Sequence, residues 1–322
     1  MVNINSNLNI LWKKEDKKEV NGYYKEYRKA WHKNPADGIV SDFPLFLDVE
    51  ATSLCNLKCP HCVQTHANFE KGFMSFTMYK EIIDEASENQ CRGVKFHTIG
   101  RGEPLLHQRL PEMVAYAVKN GLIDTLVNTN AVLLTKDRSK RLLDAGLHRI
   151  SFSIDHYIPH MYNDLRPGAD LKKVYENVSQ FFELREKGNY NTQIRVQAVK
   201  FLEMSYKRHQ RNYVHFWKVV CDEIAIIDYK EMNKREYGLK GSWICPQPWQ
   251  RLSVLYSGEI LPCNHDDRMF AALGNFENTS LRKVWQSSEM NFIRNAHKTN
   301  KAHILAACSA CYLRTSELNK EE

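Results

Sequence analysis

The 322-residue chain has no apolar run near the ~18 residues that a membrane-crossing helix needs, and its N-terminus lacks the apolar stretch of a secretory signal. Internal repeats and low-complexity segments are missing too. Charge of neither sign gathers into a block: 45 basic and 38 acidic residues are spread along the sequence, for a net charge of +7. So diffuse a balance does not make a nucleic-acid surface; a solvated exterior or anionic small substrates explain it as well. The expectation is a cytoplasmic protein with no membrane and no nucleic-acid partner. Cysteine, by contrast, is plentiful, with nine residues. In a cytoplasmic-looking chain that number argues against a disulfide framework and for metal or redox chemistry.

Seven of the nine fall into two sets. Cys55, Cys59 and Cys62 lie close together in "ATSLCNLKCPHCVQT", while Cys245, Cys263, Cys308 and Cys311 are spread over the last quarter of the chain and end in a CxxC pair. Closed structural metal sites commonly use four ligands, so three thiols in one tight loop suggest a site with one position open. Zinc completed by His61, His66 or a distant residue, or metal-free thiols, remain alternative readings. The four-cysteine set fits either a structural zinc ion or a fully ligated iron–sulfur cluster.

The length suggests one large domain with a smaller appendage. Residues 1–40 are polar, with a helical patch around "EVNGYYKEYRKAWHK" and a break at "NPADG". From 41 to about 235, strand-like segments such as "LFLDVEAT", "GVKFHTIG", "HRISFSID" and "TQIRVQAVKF" alternate with helical ones. Such alternation means βαβ units around a parallel sheet. Six units are too few for a closed eight-fold barrel and suit an α/β fold with a partial (βα)6 TIM barrel. One face of each strand is apolar and the other polar, with Asp48, Glu50, His97, Asn128, Asn130, Ser153, Asp155, Arg195 and Gln197 on the polar side. Barrel lumens are ordinarily filled with branched apolar residues, so a polar lumen predicts a bound polar ligand. Residues 236–322 change character: a hairpin "LSVLY-SG-EILPC" precedes one long helix expected to be capped by Asn278 or Thr279, then "CSAC".

A Cys-x3-Cys-x2-Cys loop placed directly after a first barrel strand resembles the radical S-adenosylmethionine (SAM) superfamily. The resemblance implies a 4Fe–4S cluster on Cys55, Cys59 and Cys62 with SAM on its free iron. It further implies reductive cleavage of SAM to a 5′-deoxyadenosyl radical that abstracts a substrate hydrogen. "GRGEP" (Gly100, Arg101, Gly102, Glu103, Pro104) resembles the family's Gly-Gly-Glu-Pro motif, with Arg101 in place of a glycine, its carbonyl still able to serve while its side chain turns away. "VNTNAVLL" resembles the third-strand motif, with Asn130 kept and Ala131 standing for glycine. Ser153 and Asp155 of "SFSID" match positions near the ribose and methionine moieties, Arg166 matches an arginine suited to the SAM carboxylate, and His61 takes the place before the third cysteine that lies near adenine.

The C-terminal pattern resembles the SPASM/Twitch modules appended to such enzymes, an α+β unit whose four cysteines imply an auxiliary 4Fe–4S cluster. The spacing is similar to that of 2-deoxy-scyllo-inosamine dehydrogenase-like enzymes. The resemblance then implies an oxidoreductase that dehydrogenates a secondary alcohol of a sugar, sugar nucleotide or aminocyclitol, the auxiliary cluster accepting an electron. The small-molecule substrate would be joined by an electron donor such as flavodoxin or ferredoxin. Epimerisation, peptide modification, or a non-catalytic iron–sulfur sensor are the competing functions. An epimerase needs a spare thiol near the lumen, and Cys91 and Cys221 precede their strands at the wrong end. Arg195 and His97 are the candidate catalytic residues on the substrate side, with Gln197, His265 and Asp266 as further polar candidates.

Overall fold

The computed structural model describes residues 8–14, 22–96, 101–229 and 237–319. Its centre is one ten-stranded sheet. In chain order the strands are β1 (Leu8–Lys13), β2 (Phe46–Val49), β3 (Gly93–Phe96), β4 (Asp124–Thr129), β5 (Arg149–Ser153), β6 (Gln193–Lys200), β7 (Glu223–Asp228), β8 (Arg251–Val254), β9 (Glu259–Leu261) and β10 (Gly274–Asn275). Their spatial order is β1-β7-β6-β5-β4-β3-β2-β8-β9-β10. Strands β2 to β7 are all parallel, each beside the next, and form an open six-stranded βα barrel. Its two free edges are covered, by β1 running antiparallel along β7 and by β8 running parallel along β2.

The alternation read from the sequence decides which face goes where. Leu47, Val49, Val94, Phe96, Val127, Ile150, Phe152, Ile194, Val196 and Ile224 are fully buried under the helical layer. Each such side chain contributes ~1.5–3 kcal/mol. Helices Phe76–Glu88, Lys136–Asp144 and Leu171–Lys187 begin where Ser75, Thr135 and Asp170 accept a backbone N–H bond as N-caps.

The polar face is more self-contained than the sequence suggests. Helix Gly22–Asp37 lies under the barrel, its Tyr27 and Trp31 one turn apart, and Trp31 meets the Phe46 ring edge-on at 5.7 Å. The helix does not break at "NPADG" but continues through Pro35 to Asp37. Pro35 lacks the N–H that would bond the Trp31 carbonyl, and Gln250 Nε2 donates to that oxygen instead (2.9 Å). Gly38, at φ +66°, ends the helix, and the Ile39 N–H closes back on the Asn34 carbonyl. Above this floor, Asp48 accepts from Lys95 (2.9 Å) and Arg251 (3.0 Å). Asp124 accepts from Arg149 (2.7 and 2.9 Å) and from the Tyr27 hydroxyl, and Glu223 accepts from Arg195 (2.5 Å). Burial pushes the Asp48 carboxyl up, yet Arg251 and Lys95 outweigh it and hold it below its ordinary value. Asp48, Asp124 and Glu223 are therefore neutralised within the lower lumen, and among the described residues Lys95 both pairs there and lines the cavity above.

The C-terminal segment is joined to the barrel through β8 and through side-chain contacts. Two helices, Leu281–Trp285 and Ser288–Lys298, replace the single one expected, each capped by its own serine, Ser280 and Ser287. Glu85 of a barrel helix accepts from the backbone N–H groups of Leu281 and Arg282 at the N-terminus of the first (3.0 and 2.9 Å). Among the described residues no helix is long and apolar enough to cross a membrane.

Candidate functional site

The loop after β2 is built by its own backbone. Ser53 N–H and the Thr52 hydroxyl both donate to the Gly72 carbonyl, closing its two ends. Inside it, Cys62 N–H and the Thr65 hydroxyl donate to the Cys59 carbonyl (3.0 and 2.9 Å), a turn that brings the last two thiols together. Cys55, Cys59 and Cys62 line one cavity of about 300 Å³ above the strand ends, with Glu103, Asn130 and Arg166. Burial pushes the Cys55 thiol up to about 12 and raises Cys59 as well, Arg166 opposing it there. Burial shifts Cys91 and Cys221 in the same way, so it is the convergence of three soft thiol donors on one cavity that fits the set to a metal centre.

The "GRGEP" turn is fixed around the same cavity. Gly102 sits at φ +80°, and a Cβ there would fall 2.0 Å from the Thr52 carbonyl oxygen, so only glycine lets the two backbones approach. Glu103 N–H donates to the Leu54 carbonyl (2.7 Å). The Glu103 carboxylate accepts from Leu105 N–H (3.0 Å), the Thr129 hydroxyl (2.6 Å) and Asn130 N–H (2.8 Å), clamping the turn to the end of β4. Burial raises its pKa, those three bonds opposing. Pro104 opens the following short turn. The Arg101 side chain turns away from the cavity to a buried pairing with Glu50 (2.5 and 3.1 Å) and lies over the Phe69 ring.

At the ends of β4 and β5 the remaining positions converge. Asn130 donates from Nδ2 to Asn56 beside the cysteine loop (2.9 Å). Ala131, where the resemblance expects glycine, takes φ +62°. Ser153 lines the cavity. Asp155, fully buried, accepts from Arg166 Nε (2.7 Å) and Val199 N–H (2.9 Å), with His61 Nε2 at 3.5 Å. Burial works against the Arg166 charge, but Asp155 and then Cys59 raise its pKa, and the Asp155 carboxylate holds the guanidinium at 2.7 Å. His61 packs edge-on against Phe201 at 4.8 Å, and burial lowers its pKa.

Of the substrate-side candidates, Gln197 lines the cavity, whereas Arg195 sits in the floor layer with Glu223 and is not among the lining residues. His97 and Gly100 lie outside the described residues. Asp266 spends its carboxylate on its own loop, accepting from Phe270 and Ala271 N–H (2.9 and 2.8 Å). Its neighbour Asp267 lines the cavity, together with Lys95, Asp228 and Tyr312. Lys95 shares the β3 alternation with His97, so the two-residue period marks it. Nothing local distinguishes Asp267 from Asp266. Cys91 and Cys221 are buried near the lower strand ends, their thiols donating to the Gly93 and Trp217 carbonyls.

A second cavity, of about 460 Å³, collects Cys245, Cys263 and the Cys308/Cys311 pair from three separate stretches of chain. Burial pushes the Cys263 thiol up to about 12 and raises Cys245 and Cys308 too. Among the described residues no three or more Cys, His, Asp or Glu side chains are placed to hold a single metal ion. His265 lines both cavities, its ring 5.3 Å from that of Tyr312, the neighbour of Cys311.

Two family models match the chain: the radical SAM superfamily over residues 49–192 and the SPASM iron–sulfur cluster-binding domain over 245–312. These domains imply a SAM-binding 4Fe–4S cluster and an auxiliary one. A tungsten-containing aldehyde ferredoxin oxidoreductase cofactor-modifying protein from Pyrococcus furiosus is 24% identical, over 84% of this chain and 87% of its own length. A probable GTP 3′,8-cyclase from Methanococcus maripaludis is 34% identical over 41% of this chain, which spans only 44% of that protein. Among solved structures, BtrN in complex with AdoMet and 2-DOIA superposes with a TM-score of 0.57 at 18% identity, over 84% of this chain and 94% of that one. Streptococcus suis SuiB bound to S-adenosylmethionine does so with a TM-score of 0.68 at 18% identity, over 92% and 79%. At these identities the two share the fold with this chain.

Proposed function

Starting from a chain that carries a radical SAM domain and a SPASM iron–sulfur cluster-binding domain, we propose that it oxidises a secondary alcohol of a sugar, sugar nucleotide or aminocyclitol. Cys55, Cys59 and Cys62 would hold the first cluster, and Cys245, Cys263, Cys308 and Cys311 the auxiliary one. Bound there, SAM and its cluster would supply abstraction of a carbon-bound hydrogen atom, and the auxiliary cluster would offer a place for the remaining electron. The observation that carries this reading is His265, which lines both cavities, so a substrate against that wall lies beside the electron's destination.

The chain's own residues supply the rest. Glu103 keeps the "GRGEP" turn closed on β4, and the Asp155–Arg166 pair presents the guanidinium edge to the anionic end of SAM. Asn130, Ser153 and His61 bound the nucleoside side. Lys95, Gln197 and Asp228 offer donors and acceptors to substrate hydroxyls. Asp267 or His265 takes the hydroxyl proton. His97 keeps its substrate-side assignment, while the pairing with Glu223 assigns Arg195 to holding β6 in place. An electron carrier such as flavodoxin or ferredoxin would feed the first cluster. We propose that the chain divides functionally into an N-terminal extension (1–40), a barrel (41–235) and an auxiliary module (236–322). The seclusion of Cys91 and Cys221 favours oxidation over epimerisation, which needs a thiol at the substrate.

The test uses anaerobically reconstituted protein with aminocyclitols and sugars deuterated at each carbinol carbon. Oxidation predicts one SAM consumed per ketone formed, with deuterium in 5′-deoxyadenosine. Deuterium transfer followed by solvent hydrogen uptake and an inverted alcohol would overturn it in favour of epimerisation.

A further inference from the structure

Arg314 is only 2% exposed, and two of its guanidinium nitrogens, Nε and Nη2, are buried without a hydrogen-bond partner. Among the described residues no carboxylate pairs with it. At the barrel, Arg101 has Glu50, Arg166 has Asp155 and Arg251 has Asp48; Arg294, another buried arginine of the C-terminal segment, also has no carboxylate among the described residues but donates to the Pro248 and Trp285 carbonyls. A buried charge with neither a carboxylate nor hydrogen-bond partners on two of its nitrogens, as in Arg314, is costly, so its counter-charge belongs to something else. Arg314 lines the cavity of Cys245, Cys263, Cys308 and Cys311, and it is the one residue of that lining, among those described, with a permanent positive charge. A cluster held by four thiolates carries net negative charge, larger by one electron when reduced.

We infer that Arg314 is the charge partner of the auxiliary cluster, a positioning residue that raises its reduction potential and so favours electron acceptance. The inference rests on the reading that the four-thiol set holds a cluster. Cluster potentials follow local charge and hydrogen bonds to the sulfurs, and a guanidinium with two free donors supplies both. The reduced form, one charge more negative, gains more from it than the oxidised form does.

The experiment is a redox titration of the holoenzyme followed by electron paramagnetic resonance, with iron counted for each variant. Arg314→Met is expected to lower the reduced-to-oxidised ratio of the auxiliary cluster about tenfold at fixed potential, ~59 mV for one electron. The SAM-side cluster should titrate unchanged, and Arg314→Lys should recover most of the shift. A loaded Met variant that titrates as wild type, or a Lys variant shifted as far as Met, overturns the inference. Should Met prevent loading, Lys loading where Arg314→Gln does not supports it, and Gln loading at the wild-type potential overturns it. A wild-type iron count of one cluster overturns the four-thiol reading itself, together with what is built on it.

Discussion

Replacing Arg166 with Met tests whether the cavity's architecture depends on a buried ion pair. Met keeps most of the stem's volume and removes the charge, leaving Asp155 fully buried with the Val199 N–H (2.9 Å) and a distant His61 (3.5 Å). Breaking a buried pair by removing one partner costs ~3–5 kcal/mol, because the other charge is left uncompensated. The surviving Val199 bond places this case near the lower end, about 3 kcal/mol, or ~6 °C in melting temperature for a large domain. Asp155→Asn added to Arg166→Met removes the stranded charge, so the double variant should regain ~1–2 kcal/mol over the single one. Denaturant unfolding of the cluster-free protein under reducing conditions measures both, with no contribution from SAM. An Arg166→Met loss below about 1 kcal/mol, or strictly additive effects in the double variant, would refute the reasoning.

Three further outcomes follow from the same geometry. Gly102→Ala forces a Cβ onto the Thr52 carbonyl at φ +80°, so it should lose the SAM-side cluster and keep the auxiliary one, halving the iron count. Ala131→Gly should be tolerated within about 1 kcal/mol, unlike most Ala→Gly changes, because relief of the left-handed backbone at φ +62° offsets the added chain entropy. His148 is pulled down by burial, with Asp124 opposing, so the folded state keeps it neutral where the unfolded chain would protonate it. Its share of stability is therefore present above its unfolded value of about 6.5 and lost as pH falls below it. His148→Gln should flatten that part of the pH profile in denaturant melts, and an unchanged slope would count against the assignment.

Local periodicity made much of the barrel legible. Leu47 and Val49 against Asp48 and Glu50 announce a strand with one face outward and one inward, and the six βα units followed. The three-thiol loop, Glu103, Asn130, Ser153 and Asp155 were readable because each lies at or just after the end of a strand with a motif around it, and Arg166, at the end of the helix after β5, because of the segment around it. What escaped was pairing at long range. Period two says that Arg195 faces inward, but not that Glu223, 28 residues on, neutralises it. Likewise, "NPADG" looks like a break because the sequence cannot show that Gln250 stands ready to satisfy the carbonyl freed by Pro35. The joining of β8 to β2 spans some two hundred residues and leaves no local trace. Asp266 and Asp267 are neighbours of identical chemistry, and only the fold shows that Asp267 is the one lining the cavity while Asp266 accepts from the Phe270 and Ala271 N–H groups.

The central claim is that three thiols hold a cluster with a place for SAM while four thiols close a second. Iron counts and SAM cleavage measured together on three proteins test it most directly. Wild type should carry about eight irons, and the Cys55/Cys59/Cys62→Ala and Cys263/Cys308→Ala variants about four each. Of the two variants, only the second should yield 5′-deoxyadenosine on reduction with SAM. Cleavage by the first variant, or a wild-type count of about four irons with one zinc, would contradict the account.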